Sequence, residues 1–174
     1  MLRFFGILNA AVWLGAAVFM TATVGPLFFS ETLLRLLGRP HAGAVVLLIF
    51  ERYFLLQYLC ALLALAHGIT DWLQTGRPFS KLRMGLLAAL LALVLVNGMM
   101  IQPRLKDLHR TMYSFGIRPA PAQVEQARQS FGPWHGFSQG LNLLASVGLL
   151  VYLWQMAHLP PAPRRLTRTK FQLE

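Results

Sequence analysis

The sequence predicts an all-α polytopic membrane protein, an antiparallel bundle of four transmembrane helices. Three observations lead there. Four apolar stretches, residues 4–29, 52–73, 82–101 and 137–158, are each long enough to cross a bilayer, since a hydrocarbon core of roughly 30 Å takes about 20 helical residues. Only 13% of the residues are charged and 56% are hydrophobic, whereas a soluble domain carries about 25% charged residues. The basic residues fall between and after the apolar runs, where membrane proteins carry them. In lipid the backbone must satisfy its own hydrogen bonds, so these stretches are read as helices. The chain length leaves room for one four-span domain over residues 1–159 and a basic C-terminal tail over 160–174, expected to be mobile.

The first helix runs from about Leu2 to Phe29, with a kink expected at Gly25-Pro26. Its apolar run is longer than a signal-peptide core, and no small-residue cleavage site follows, so it is read as retained. Residues 30–42 form a connection whose Leu33, Leu34, Leu36 and Leu37 suggest a short interfacial helix broken at Gly38-Arg39-Pro40. The second helix starts near Gly43 and carries Glu51-Arg52-Tyr53 at a membrane boundary, because unpaired charges are costly at mid-bilayer. Gly76-Arg77-Pro78 reads as a tight turn, and Ser80 as the N-cap of the third helix. That helix can continue beyond the membrane from Arg104 to Tyr113. Residues 122–129 read as a short surface helix ended by Gly132-Pro133, with the fourth helix starting near Trp134-His135.

The net charge of +10 is distributed over loops and tail. No basic recognition fold remains once the spans are removed, so no nucleic-acid partner is expected. The tail basics Arg164, Arg165, Arg168 and Lys170 suit anionic headgroups, which makes membrane lipid the expected partner. A homo-oligomer or a partner membrane protein is the other expectation, because four helices are thin for a transport path. The single cysteine, Cys60, allows no intrachain disulfide and reads as a small buried residue. Eight basic residues fall on each side of the membrane. If Arg52 and Arg104 are paired inside the bundle, the balance leans toward both termini in the cytoplasm. The expected location is a bacterial inner membrane.

At helical period the spans carry polar seams. Helix 2 places Tyr53, Gln57, Cys60, Ala64, His67 and Asp71 on one stripe, and helix 4 places His135, Gln139 or Ser138, Asn142 and Ser146 on another. Helix 1 offers Asn9, Trp13, Ala16, Met20 and Thr23, and helix 3 offers Asn97, Ile101 and Arg104. Polar side chains in spans face the bundle interior and hydrogen-bond across it. The up-down order brings Arg52, Tyr53, Asn97, Gln102, Arg104, His135, Ser138 and Asn142 toward one end. These eight are the candidate ligand-binding residues. Two arginines there suit a carboxylate, a phosphate or a lipid headgroup. The plainer alternative is a hydrogen-bonded cluster that only ties helix ends together.

Other chemistry finds weaker footing. His67 and Asp71, four residues apart, can orient an imidazole, and haem or quinone association through His67 or His135 stands as an alternative. No HExxH, paired-histidine spacing or cysteine pair supports a metal site, and no cofactor is expected. Met20 and Met99-Met100 form no Met-x-x-Met array for copper. His135 and Ser138 share a face, but no acidic orienter or nucleophile elbow accompanies them. No catalytic residues are assigned.

Several short motifs stand in order along the chain. They are Trp13-Leu14-Gly15 with Phe19, Gly25-Pro26-Leu27-Phe28, Phe50-Glu51-Arg52-Tyr53-Phe54, Asn97 with Gln102-Pro103-Arg104, and Phe131 with Trp134-His135-Gly136-Phe137-Ser138 and Asn142-Leu143. This order, over about residues 4–155, resembles the domain of unknown function 4149 family, the transmembrane protein 205-like small integral membrane proteins. The resemblance implies a four-span membrane protein and supplies no catalytic residues. A branch associated with drug resistance hints at transport or trafficking. The four-span haem-biosynthesis oxidases are a looser comparison; they need a first-helix histidine, which residues 4–29 lack. The expected role is therefore non-enzymatic: binding or helping to move a small polar or anionic ligand, or lipid. A structural or accessory subunit of a membrane complex is the alternative.

Overall fold

The computed structural model describes residues 2–75, 81–116 and 118–158. Four helices make up the fold: α1 (Leu2–Phe28), α2 (Glu31–Thr75), α3 (Lys81–Met112) and α4 (Pro121–Ala157). All four are long and apolar enough to cross a membrane, and the described residues include no strand. The Arg3 guanidinium donates to the Ala157 carbonyl, and His67 Nε2 lies 3.1 Å from the Leu2 carbonyl. The start of α1 and the ends of α2 and α4 therefore meet at one end of an up-down bundle. The expected turn at Gly76-Arg77-Pro78, the Ser80 cap and the basic tail lie outside the described residues.

Small residues let α1 and α2 approach closely: Ala10 and Ala17 face Cys60, Ala61 and Ala64 in one buried cluster. Trp13 is fully buried there, and its indole N–H donates to Gln57 Oε1. Leu87 and Leu90 of α3 and Leu149, Tyr152 and Met156 of α4 complete the core. The outward surface is apolar instead of polar, with Leu55, Leu62, Leu143, Leu150 and Trp154 all exposed. In water so broad a patch would drive association; among acyl chains it is the solvated face. Exposed Trp134 and Trp154 lie about 30 Å apart along α4, the spacing of two interfacial aromatic belts.

Helices α2 and α4 exceed the bilayer. The excess gathers opposite the chain termini as a helical head. Within it Leu105, Leu108 and His109 of α3 and Ala127 of α4 are buried where the two helices pack. The short helix expected after Ser30 is there: it starts at Glu31 and breaks at Gly38, whose φ of 70° and ψ of 156° are non-helical and suit glycine, before the long part of α2 begins. One expectation is corrected. Gly132-Pro133 does not end a surface helix; α4 runs unbroken from Pro121, with Pro133 inside it. Packing against α3 holds the turns on both sides of the proline, so a lost backbone bond does not end the helix.

Two π-helical turns interrupt the spans, Met20–Val24 in α1 and Val96–Ile101 in α3. Each stands just before a proline. The Gly25 amide bonds to the Met20 carbonyl ahead of Pro26, and the Gln102 amide bonds to the Asn97 carbonyl ahead of Pro103. Proline has no N–H, and its ring crowds the carbonyl four residues back. Widening the preceding turn relieves that crowding.

Candidate functional site

The two π turns flank a cavity of about 300 Å³ at the head end of the bundle. Its walls differ in chemistry. Met20, Pro26, Phe29, Val46, Phe50 and Phe54 from α1 and α2 form an apolar side. Asn97 of α3 and His135, Ser138, Gln139 and Asn142 of α4 form a polar side, with Thr21 of α1 between them. Among the described residues, no Asp, Glu, Lys or Arg lines the cavity.

Hydrogen bonds fix the polar wall. Tyr53 donates to Asn142 Oδ1 at 2.8 Å, and Asn142 Nδ2 donates to Thr21 Oγ1 at 2.6 Å. Thr21 in turn donates to the Ala17 carbonyl at 2.9 Å, so one chain of bonds crosses α2, α4 and α1. One turn away, Ser138 donates to Asn97 Oδ1 at 2.8 Å, and Asn97 Nδ2 returns a bond to the Ser138 carbonyl at 3.3 Å. Gln102 Nε2 reaches Ser138 Oγ at 3.5 Å. Asn97 and Ser138 are buried, and the π turn carries Asn97.

Of the eight predicted site residues, six gather here: Asn97, His135, Ser138 and Asn142 line the cavity, and Tyr53 and Gln102 bond to its wall. The two arginines do not join them. Arg52 lines a groove between α2 and α3, and Arg104 lines another between α3 and α4 with Asp107 and Arg118. Nor do they pair with Glu51, whose carboxylate takes the Lys106 ammonium. The reason is helical phase. After Ile101 the buried stripe passes to Leu105 and Leu108, which turns Arg104 outward. On α1 the interior stripe is Ala10, Trp13, Ala17, Met20 and Val24. Thr21, not Thr23, supplies the polar contact there. The apolar wall was missed because its aromatic residues read as ordinary core; the sequence signal was the pair of prolines.

In the head, His109 is buried; its imidazole stacks on Phe115 and meets the Tyr113 ring at a tilt, while Phe131 stacks on His135. A side chain at Gly43 would collide with His109 Nε2. Burial pushes the His109 imidazole below the ordinary histidine range. His67 lies at the other end of the bundle, beside Gly6 and Met156. No group of three or more His, Cys, Asp or Glu side chains is gathered for a metal among the described residues.

A family model described as a domain of unknown function, DUF4149, matches residues 8–114. The chain belongs to that family. The matched region covers most of α1 together with α2 and α3, and so includes Thr21, Tyr53, Asn97 and Gln102. The α4 wall of this DUF4149 protein, from His135 to Asn142, lies beyond it. Comparison with curated proteins and with solved structures returned no match.

Proposed function

We propose that this integral membrane protein is non-enzymatic and binds a small amphipathic molecule in the cavity between the two π turns. The observation that carries the reading is the two-faced wall: hydrogen-bonding groups on α3 and α4 oppose aromatic and aliphatic groups on α1 and α2. A ligand with a polar, uncharged head and an apolar body satisfies both, and a fully charged head would meet no counterion there. Pockets of this size, mostly apolar with a few convergent polar groups, are the usual form of small-molecule sites. The bacterial cell membrane, with both termini in the cytoplasm, is the setting that goes with this reading.

Gln139→Trp tests it, because Gln139 is exposed and lines the cavity. Native mass spectrometry of gently extracted protein should show a small-molecule adduct on the wild type and none on the variant. Surface substitutions usually stay within about 0.5 kcal/mol, so the thermal midpoint should hold. A bare wild-type protein, or a variant that keeps the adduct, sinks the reading. A second reading, an accessory subunit with a purely structural seam, draws on the closure of the Tyr53–Asn142–Thr21–Ala17 chain within the bundle. A partner protein in the same mass spectrum would favour it.

A further inference from the structure

We propose that the groove between α2 and α3 holds an anionic glycerophospholipid of the surrounding bilayer, its phosphate on Arg52 and an acyl chain along Leu55 and Tyr58. The groove has a volume of about 440 Å³ and is separate from the central cavity, with Phe54 as the shared partition. Its lower part is apolar. Gly98 of α3 contributes no side chain there, and a Cβ at that position would collide with the Tyr58 hydroxyl and the Phe54 ring. The upper part carries the charges Glu51, Arg52 and Lys106, with Gln102 beside them.

The charge balance selects the occupant. Lys106 donates to Glu51 and so occupies the one carboxylate that lines the groove among the described residues. Arg52 is exposed, and no carboxylate pairs with it among the described residues. Along α2 it is bracketed by exposed Leu48 and Leu55, so its guanidinium emerges at the border of the lipid-facing belt. A cation placed there draws its counterion from the lipid side, and a phosphate accepts two parallel hydrogen bonds from arginine. The trough below the cation selects a lipid over a free phosphate ion, because only the lipid covers both parts. Among the described residues the central cavity has no Asp, Glu, Lys or Arg in its lining, so this site stands or falls independently of the ligand proposed for it.

Titration of the full-length protein in non-ionic detergent with dioleoylphosphatidylglycerol, and with dioleoylphosphatidylcholine as the zwitterionic control, tests the assignment by native mass spectrometry. The wild type should bind the first phosphatidylglycerol about tenfold more tightly than phosphatidylcholine, the size of one charge-assisted contact. Arg52→Gln should abolish that preference. Lys106→Gln should abolish it too, since the released Glu51 carboxylate then neutralises Arg52. Arg118→Gln, in the separate groove between α3 and α4, should leave it intact. If either of the first two variants keeps the preference, or Arg118→Gln removes it equally, the assignment is overturned.

Discussion

Asn142 is the residue on which the polar wall turns. Its side-chain oxygen accepts from Tyr53 and its nitrogen donates to Thr21, so one amide ties α4 to α2 and α1. In lipid a lost partner cannot be replaced by water, yet single interhelical bonds in membranes average only about 0.6 kcal/mol and reach about 1.7. We expect Tyr53→Phe to cost about 0.6 kcal/mol and Asn142→Ala about 1–2 kcal/mol, the larger value because two bonds go and Tyr53 is left unpaired. The double variant should cost less than the sum of the two, measured by reversible unfolding in mixed micelles. Strict additivity would show that the pair is not coupled. Both residues were legible in the sequence, because a tyrosine or asparagine inside an apolar run has few uses other than a buried bond. The arginines misled for a related reason. Side-chain type announced a charge, but facing depended on helical phase, and one residue of phase separates buried Leu105 from exposed Arg104.

Phase is a property of the element, and here the prolines control it. Pro103 forces the Val96–Ile101 turn into π form, and that turn presents Asn97 to Ser138. Pro103→Ala restores an N–H and removes the ring, so the turn can return to regular α geometry. One residue of register rotates a side chain by about 100°, enough to swing Asn97 away from α4. The Ser138→Ala substitution then becomes diagnostic. In the wild-type background it removes the Ser138 side-chain bonds to Asn97 and Gln102 and should cost about 1 kcal/mol. In the Pro103→Ala background the same change should cost close to nothing. An undiminished cost would mean that the π turn persists without its proline. The kink at Gly25-Pro26 was legible as a break in regularity; its form as a π turn was not, because one proline fits either a bend or a widened turn. The opposite error occurred at Pro133, where tertiary packing in the head keeps α4 whole and no local signal records that packing.

At the scale of the molecule, the head and the terminal end are unequal in more than size, and this bears on orientation. In sequence, eight basic residues belong to the start of α1, the junction of α2 and α3 or the segment after α4, and the other eight lie at the head end. The head carries Glu31, Glu51, Asp107 and Glu125, whereas Asp71 is the acidic residue toward the terminal end among the described residues. Three head cations, Lys106, Arg35 and Arg128, are engaged by Glu51, Glu31 and Glu125. The paired head residue in the membrane border is thus Lys106, and not the Arg52 and Arg104 that the sequence suggested. Arg110 and Arg128 sit on the extended ends of α3 and α4 and Arg118 between them, displaced from the apolar belt, and positive charge orients a span most strongly when it lies close to the span's end. Arg3, Lys81 and Arg83, by contrast, stand within the first turn or so of α1 and α3. Both ends of the chain should therefore face the cytoplasm and the helical head the opposite side. A C-terminal fusion to a fluorescent protein that folds only in the cytoplasm should be bright, and the same reporter inserted after Gly116, between α3 and α4, should be dark. The reverse pattern would turn the molecule over, and with it would place the cavity, the Arg52 groove and the aromatic head on the cytoplasmic side.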